Sequence, residues 1–262
     1  MASPVANPDC PECGGRGWIV VEDGGAGTAR PCPCRQELLV PRLLASSGIP
    51  VRYRECTLES FKVSSLTSRS DPRLVEAREK CRHYIDGFLD TRGHFQQAGL
   101  LFVGPPGAGK THLAAAILSA LIRRYRLRGR FVDFSSLIHQ IQSTFDPSSA
   151  ESKHDVLDPV MEADLLVLDE LGAQKPTPFV TDTLYLILNH RYTNRLPTLF
   201  TSNLRLELAK NSNLSAVDLL ESKLPPQLIS RLYEMAAPVA LEVGDYRKEV
   251  GSKNLATEVF RA

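Results

Sequence analysis

Neither sign of charge dominates this sequence. Lys and Arg total 31 against 30 Asp and Glu, so a contact with a polyanion has to come from a local patch and not from a global field. No apolar run approaches the ~20 residues that a membrane-spanning helix needs. The opening MASPVANPDCPEC has no basic segment followed by an apolar one, so no signal peptide is expected and a cytoplasmic location is. The six histidines show no i, i+4 pairing that would place a metal on a helix, and no internal repeat is present. With 43% hydrophobic and 23% charged residues in 262, a packed core is within reach and wholesale disorder is excluded.

Cysteine is sparse except near the start. Cys56 and Cys81 stand alone and read as packing residues. The other four form Cys10-x-x-Cys13 and Cys32-x-Cys34, a spacing that suits tetrahedral Zn²⁺; a redox dithiol and incidental cysteines are the alternatives. Between the pairs, WIVVEDGGAGTARP reads as a hairpin with an Asp-Gly-Gly turn. Residues 1–50 are thus expected to be a zinc ribbon-like module, poor in helical periodicity, whose metal supplies much of its folding energy. Trp18 with Arg16, Arg30 and Arg35 would face a protein or DNA partner.

Residues 51–98 read as a connector followed by a helix near 72–90. Beyond them strands and helices alternate. Strands are expected at 99–103, 130–134, 164–170, 197–203 and 238–243, with helices over 111–125, two between 135 and 163, one at 179–194 and one at 225–236. That order means α/β architecture with a mainly parallel five-stranded sheet over 99–250, ending in a polar tail at 251–262.

The first strand runs into a full G-x-x-x-x-G-K-T. Gly104, Pro105, Pro106, Gly107, Ala108, Gly109, Lys110 and Thr111, with His112 after them, form a candidate nucleoside-triphosphate site. The glycines let backbone N–H groups turn toward phosphate, and the helix that follows adds its positive end. Lys110 is expected to bridge the β- and γ-phosphates and Thr111 to ligate Mg²⁺. In LLVLDE, Asp169 would hold the Mg²⁺ and Glu170 would deprotonate the attacking water. TLFTSN ends the next strand with Thr201, Ser202 and Asn203, polar groups placed to orient that water. The arginine run Arg123, Arg124, Arg126, Arg128 and Arg130 reads as charge placed at a helix C-terminus, with a phosphate-backbone or subunit-interface patch as the alternative.

The ordered motifs GPPGAGKT, LLVLDE, TSN, LISRLYEM and DYR, with YRECTLESF ahead of them, resemble the initiator and helicase-loader branch of AAA+ ATPases, and within it the DnaC/IstB group, over about residues 50–250. The resemblance implies that Asn203 is sensor 1, that Arg231 is an arginine finger acting on ATP held by a neighbouring subunit, and that Arg247 is sensor 2. It places Tyr53 and Phe61 by the adenine, and makes the helices at about 135–161 the insertion that lines a DNA channel. Only 15 residues separate Arg231 from Arg247, so no full C-terminal lid is expected. The function it implies is an ATPase that self-assembles through ATP-bridged interfaces and loads a replicative helicase onto single-stranded DNA. An IstB-like transposition helper with a transposase client, and an ATP-gated adaptor with little hydrolysis, are the alternatives. A P-loop small-molecule kinase is disfavoured by Glu170 beside Asp169 and by the late Arg231.

Overall fold

The computed structural model describes residues 7, 9–23, 26–63, 70–96, 98–204 and 220–246. Strands β1 (Trp18–Asp23) and β2 (Ala26–Pro31) pair antiparallel as the expected hairpin. A helix absent from the sequence reading follows at once, α1 (Cys34–Ser46). Pro41 sits inside it and its residues are at most half-buried apart from Cys34, which is why no clear apolar stripe announced it. Its Leu43 and Leu44 pack on the main core. Helix α2 (Pro72–Asp86) starts with Asp71 as cap, the side chain accepting from the Arg73 N–H.

The core then alternates β3 (Gly99–Val103), α3 (Lys110–Tyr125), β4 (Gly129–Asp133), α4 (Phe134–Ser143), α5 (Lys153–Met161), β5 (Leu165–Asp169), α6 (Pro178–Thr193), β6 (Thr198–Ser202), α7 (Pro226–Met235) and β7 (Ala237–Ala240). All pairings in this sheet are parallel, in the order β4-β5-β6-β3-β7. Strands β3, β5 and β6 are buried at every position because helices cover both faces, which makes their sequences continuous apolar runs. Alternate residues divide between two clusters. Leu100, Phe102, Leu165, Val167 and Leu199 join α2 and α3 on one face, while Leu101, Val103, Leu166, Leu168 and Phe200 join α4 to α7 on the other.

One buried residue ties the second layer to the sheet. Arg191 of α6 is fully buried, and its guanidinium donates to the Thr198 hydroxyl and to the carbonyls of Val160, Met161, Ala163 and Pro197 at 2.7–3.1 Å. It closes the end of α5 and the entry to β6, backbone groups that would otherwise be buried without partners. Three arginines at the end of α3 and just beyond it are engaged within the chain. Arg124 pairs with Asp86 at 2.8 Å, Arg128 with Asp164 at 3.1 Å, and Arg130 donates to the Ser46 carbonyl. No helix among the described residues is long and apolar enough to cross a membrane.

Candidate nucleotide site and cysteine cluster

The strand order brings three chain segments to one edge. Strand β3 feeds the glycine-rich loop, its neighbour β6 ends at Ser202, and β5 beyond it ends at Asp169. Ligands of such sheets bind outside the carboxyl ends of the strands. There Gly107, Gly109, Lys110, Thr111, His112, Asp169, Glu170, Thr201 and Asn203 line one cavity of about 320 Å³ together with Arg52, Tyr53 and Cys56. The sequence-derived loop, acidic pair and Asn203 therefore meet.

The loop is shaped by residues with no Cβ to spare. Gly107 has φ 79°, and a Cβ there would fall on the Asp245 carboxylate; Gly109 has φ 96°, and a Cβ there would lie 2.6 Å from the Phe61 ring. Lys110 is buried at the first turn of α3, where its ammonium donates to the Gly104 and Pro105 carbonyls at 2.8 Å. The Thr111 hydroxyl donates to Asp169 Oδ1 at 3.1 Å, and the Thr201 hydroxyl donates to the same oxygen at 2.5 Å. The Glu170 N–H donates in turn to Thr201 Oγ1 at 3.0 Å. Thr201 thus joins the two acidic residues, a connection the sequence could signal only as one polar side chain among three at a strand end.

Asp169 and Glu170 are adjacent but live in different surroundings. Asp169 is 7% exposed, and burial pushes its pKa up; the Thr201 and Thr111 hydroxyls oppose that, while the charges of Glu170 and Asp133 add to it. A carboxyl raised in the fold contributes stability that is complete below its ordinary value near 3.8 and lost as pH rises through the raised value. Asp169→Asn keeps an acceptor for both hydroxyls and removes the buried charge. It is expected to raise the melting temperature of the nucleotide-free protein at pH 7, by about 2–4 °C for each kcal/mol relieved, with the gain shrinking toward pH 4. Thermal denaturation at the two pH values measures this; an unchanged or lowered midpoint at pH 7 would show that the charge is compensated. Glu170, by contrast, is exposed and has φ 59°. A non-glycine residue in the left-handed region costs about 1–2 kcal/mol, and here it carries the carboxylate off the line of β5 and into the cavity wall.

His112 does not point along the phosphate loop. Its Nε2 lies 3.0 Å from the Thr57 carbonyl, which can only accept, so Nε2 carries the proton and Nδ1 faces the Cys56 thiol at 3.4 Å. Burial lowers its pKa, consistent with a neutral ring. The ring also meets Phe61 at 5.6 Å, so His112 pins residues 56–61 to the first turn of α3. Phe61 and His112 line a second cavity of about 380 Å³, with Leu74, Val243 and Tyr246. Tyr53 lines the first cavity and Phe61 the second. Cys81 is buried in the core as expected; Cys56 packs against the same core, as expected, and also lines the cavity.

Arg231 does not join this set. It lies on α7 and engages α6, its Nη1 donating to Asn189 Oδ1 at 2.6 Å. Arg247 falls outside the described residues.

At the other end of the chain the four sulfurs of Cys10, Cys13, Cys32 and Cys34 all lie within 4.8 Å of one another and are buried. Cys10 and Cys32 are 3.7 Å apart, and Cys13 and Cys34 3.6 Å. A tetrahedral centre with metal–sulfur bonds of about 2.3 Å puts its sulfurs about 3.8 Å apart, so the donor set fits a single ion held by four thiolates. The Gly17 N–H donates to Cys13 Sγ at 3.2 Å, the kind of backbone bond that orients a thiolate ligand.

Known proteins resemble this chain in sequence and fold. A family model described as IstB-like ATP binding protein matches residues 54–253. The phage-like element PBSX protein XkdC of Bacillus subtilis (strain 168) is 27% identical over 210 residues, which cover 78% of this chain and 75% of that protein. The replicative helicase loader DnaC of Escherichia coli (strain K12) is 29% identical over 169 residues, 63% of this chain and 62% of the loader; the match thus spans less than two thirds of the loader's length. Among solved structures, that of the DnaC helicase loader aligns with a TM-score of 0.59 at 27% identity, over 73% of this chain and 99% of that one. The structure of DnaI, at 21% identity and a TM-score of 0.58, shares the fold.

Proposed function

Because this chain belongs to the IstB-like family of AAA+ ATP-binding proteins, we propose that it hydrolyses ATP in an assembly on DNA and uses the cycle to load a replicative helicase onto single-stranded DNA. The observation that carries the ATPase reading is the single cavity that gathers Lys110, Thr111, Asp169, Glu170 and Asn203. The loading role is supported by the likeness to the DnaC loader in sequence and structure. The family match favours one second reading, a transposition helper whose client is a transposase.

In the proposed cycle the loop N–H groups and Lys110 hold the β- and γ-phosphates. Thr111 and Asp169 offer adjacent hard oxygens, a donor set that fits Mg²⁺; when bound, the ion neutralises developing phosphate charge. Glu170, exposed to the cavity, takes the proton of the attacking water, and Asn203 holds that water. Phe61 borders the base. Arg231 enters the site of a neighbouring subunit. Arg247 acts as sensor 2 in its own chain, and α4 and α5 face the DNA. We assign Zn²⁺ to the four cysteines, since an all-thiolate tetrahedral set is a closed, structural kind of site, and give the module the task of holding the client.

Steady-state phosphate release with and without single-stranded DNA, and capture of purified replicative helicase or purified transposase, test these readings. DNA-stimulated release with helicase captured is expected. Cys10→Ser with Cys13→Ser should unfold the module, lose the helicase and leave ATP binding intact, because the metal stabilises only its own surroundings. Transposase captured instead of helicase would establish the second reading. ATP bound without phosphate release in any condition would leave an ATP-gated adaptor.

A further inference from the structure

The guanidinium of Arg231 sits in a holder built by one face of α6. Tyr185, Asn189 and Tyr192 recur at i, i+4 and i+7, so their side chains stack along the same side of that helix. Arg231 Nη1 donates to Asn189 Oδ1 at 2.6 Å and Nη2 donates to the Tyr185 hydroxyl at 3.3 Å. The guanidinium carbon lies 4.7 Å from the centre of the Tyr185 ring and 5.7 Å from that of Tyr192.

The chemistry of the holder is specific. It offers an amide oxygen, a phenol oxygen and two ring faces, all neutral. Among the described residues no carboxylate pairs with Arg231, although Glu234 stands one helical turn along α7. The Glu234 carboxylate is taken instead by the Tyr192 hydroxyl, which donates to it at 2.7 Å. A guanidinium has five N–H donors; two make these bonds, and the side chain is only partly buried. Amide and ring contacts fix the direction of an arginine without cancelling its charge, whereas a carboxylate would do both. A side chain meant only to lock α6 to α7 gains nothing from such care, but one that has to present an undiminished positive charge to phosphate does.

We infer that Asn189 and Tyr185 are positioning residues for Arg231, holding its guanidinium extended and un-neutralised for the phosphate of a neighbouring copy. This rests on the reading of Arg231 as a trans-acting finger. Its expected action is on turnover: neither residue lines the chain's own nucleotide cavity, so neither touches the ATP that this chain itself binds.

The decisive substitution is Asn189→Asp, nearly isosteric but anionic. In the full chain assembled on single-stranded DNA, it should lower kcat about tenfold or more, the effect of roughly one charge-assisted hydrogen bond, with KM for ATP unchanged. Raising the salt should narrow its deficit relative to the native chain at the same salt, because the new exposed ion pair is screened. Tyr185→Phe, which keeps the ring and removes the oxygen, should lose less. Adding Asn189→Asp to Arg231→Ala should cost nothing beyond Arg231→Ala itself, since both act through one group. If Arg231→Ala is inactive while Asn189→Asp turns over as the native chain does, the finger stands and the positioning role is overturned. A double variant slower than Arg231→Ala also overturns it. If Arg231→Ala is fully active, the finger reading falls, and the positioning role with it.

Discussion

Glu170→Gln should bind ATP as the native chain does and release phosphate about 10²–10⁴-fold more slowly, the usual contribution of a positioned general base. The amide cannot take a proton from water but fills the same space. Because Glu170 is exposed and its N–H, not its carboxylate, makes the bond to Thr201, the substitution leaves the Asp169–Thr201–Thr111 connection in place. Fold and affinity are therefore separated from chemistry. Asp169, buried in that connection, offers no such separation. Fluorescent-nucleotide titration with single-turnover phosphate release measures both quantities. Native-like turnover would remove Glu170 from the chemical step and leave the water to Asn203.

Arg231→Ala should bind ATP normally and hydrolyse it about 10³–10⁵-fold more slowly, the range by which a supplied guanidinium accelerates phosphoryl transfer. Arg231 is held against α6 and away from the cavity of its own chain, so its charge can reach a phosphate only across an interface. Mixing isolates that geometry. Arg231→Ala retains Lys110, and Lys110→Ala retains Arg231; each alone should be inactive. Together they should recover part of the activity, because interfaces that join an intact loop to an intact finger are complete. Recovery should rise with total protein concentration. A mixture that co-assembles by crosslinking and stays inactive would exclude action in trans.

The sequence carried most of the nucleotide cavity because its parts are local. GPPGAGKT is contiguous, and LLVLDE announces both a doubly buried strand and the carboxylates at its end. The parallel sheet followed from strands alternating with helices along the chain. What stayed hidden depends on residues far apart in the chain. Arg191 carries no signal in the sequence, yet it is buried and bonded to carbonyls 28–31 residues away. The partners of Arg231 lie 42 and 46 residues before it. Cys56 read as a packing residue, and only the fold brings it to the His112 ring. Helix α1 escaped because a proline interrupts it and its burial is only partial.

Cys34 is at once the last sulfur of the metal-fitting cluster and the first residue of α1. No slack separates the two. The helix has 13 residues, a rod of about 20 Å, and its far end is held: Leu43 and Leu44 pack against the core that contains α3, and the Phe131 N–H donates to the Ser47 carbonyl at 2.6 Å. The cysteine module is therefore an outrigger and not a bead on a string. Torque applied to it reaches α3, the helix whose first turn is Lys110 and Thr111, without being dissipated in a loose joint. Bending concentrates at Pro41, which lacks the N–H that would stiffen the middle of the rod. A rotation of the ATP-binding core would swing anything carried on this arm through an arc whose radius the helix sets.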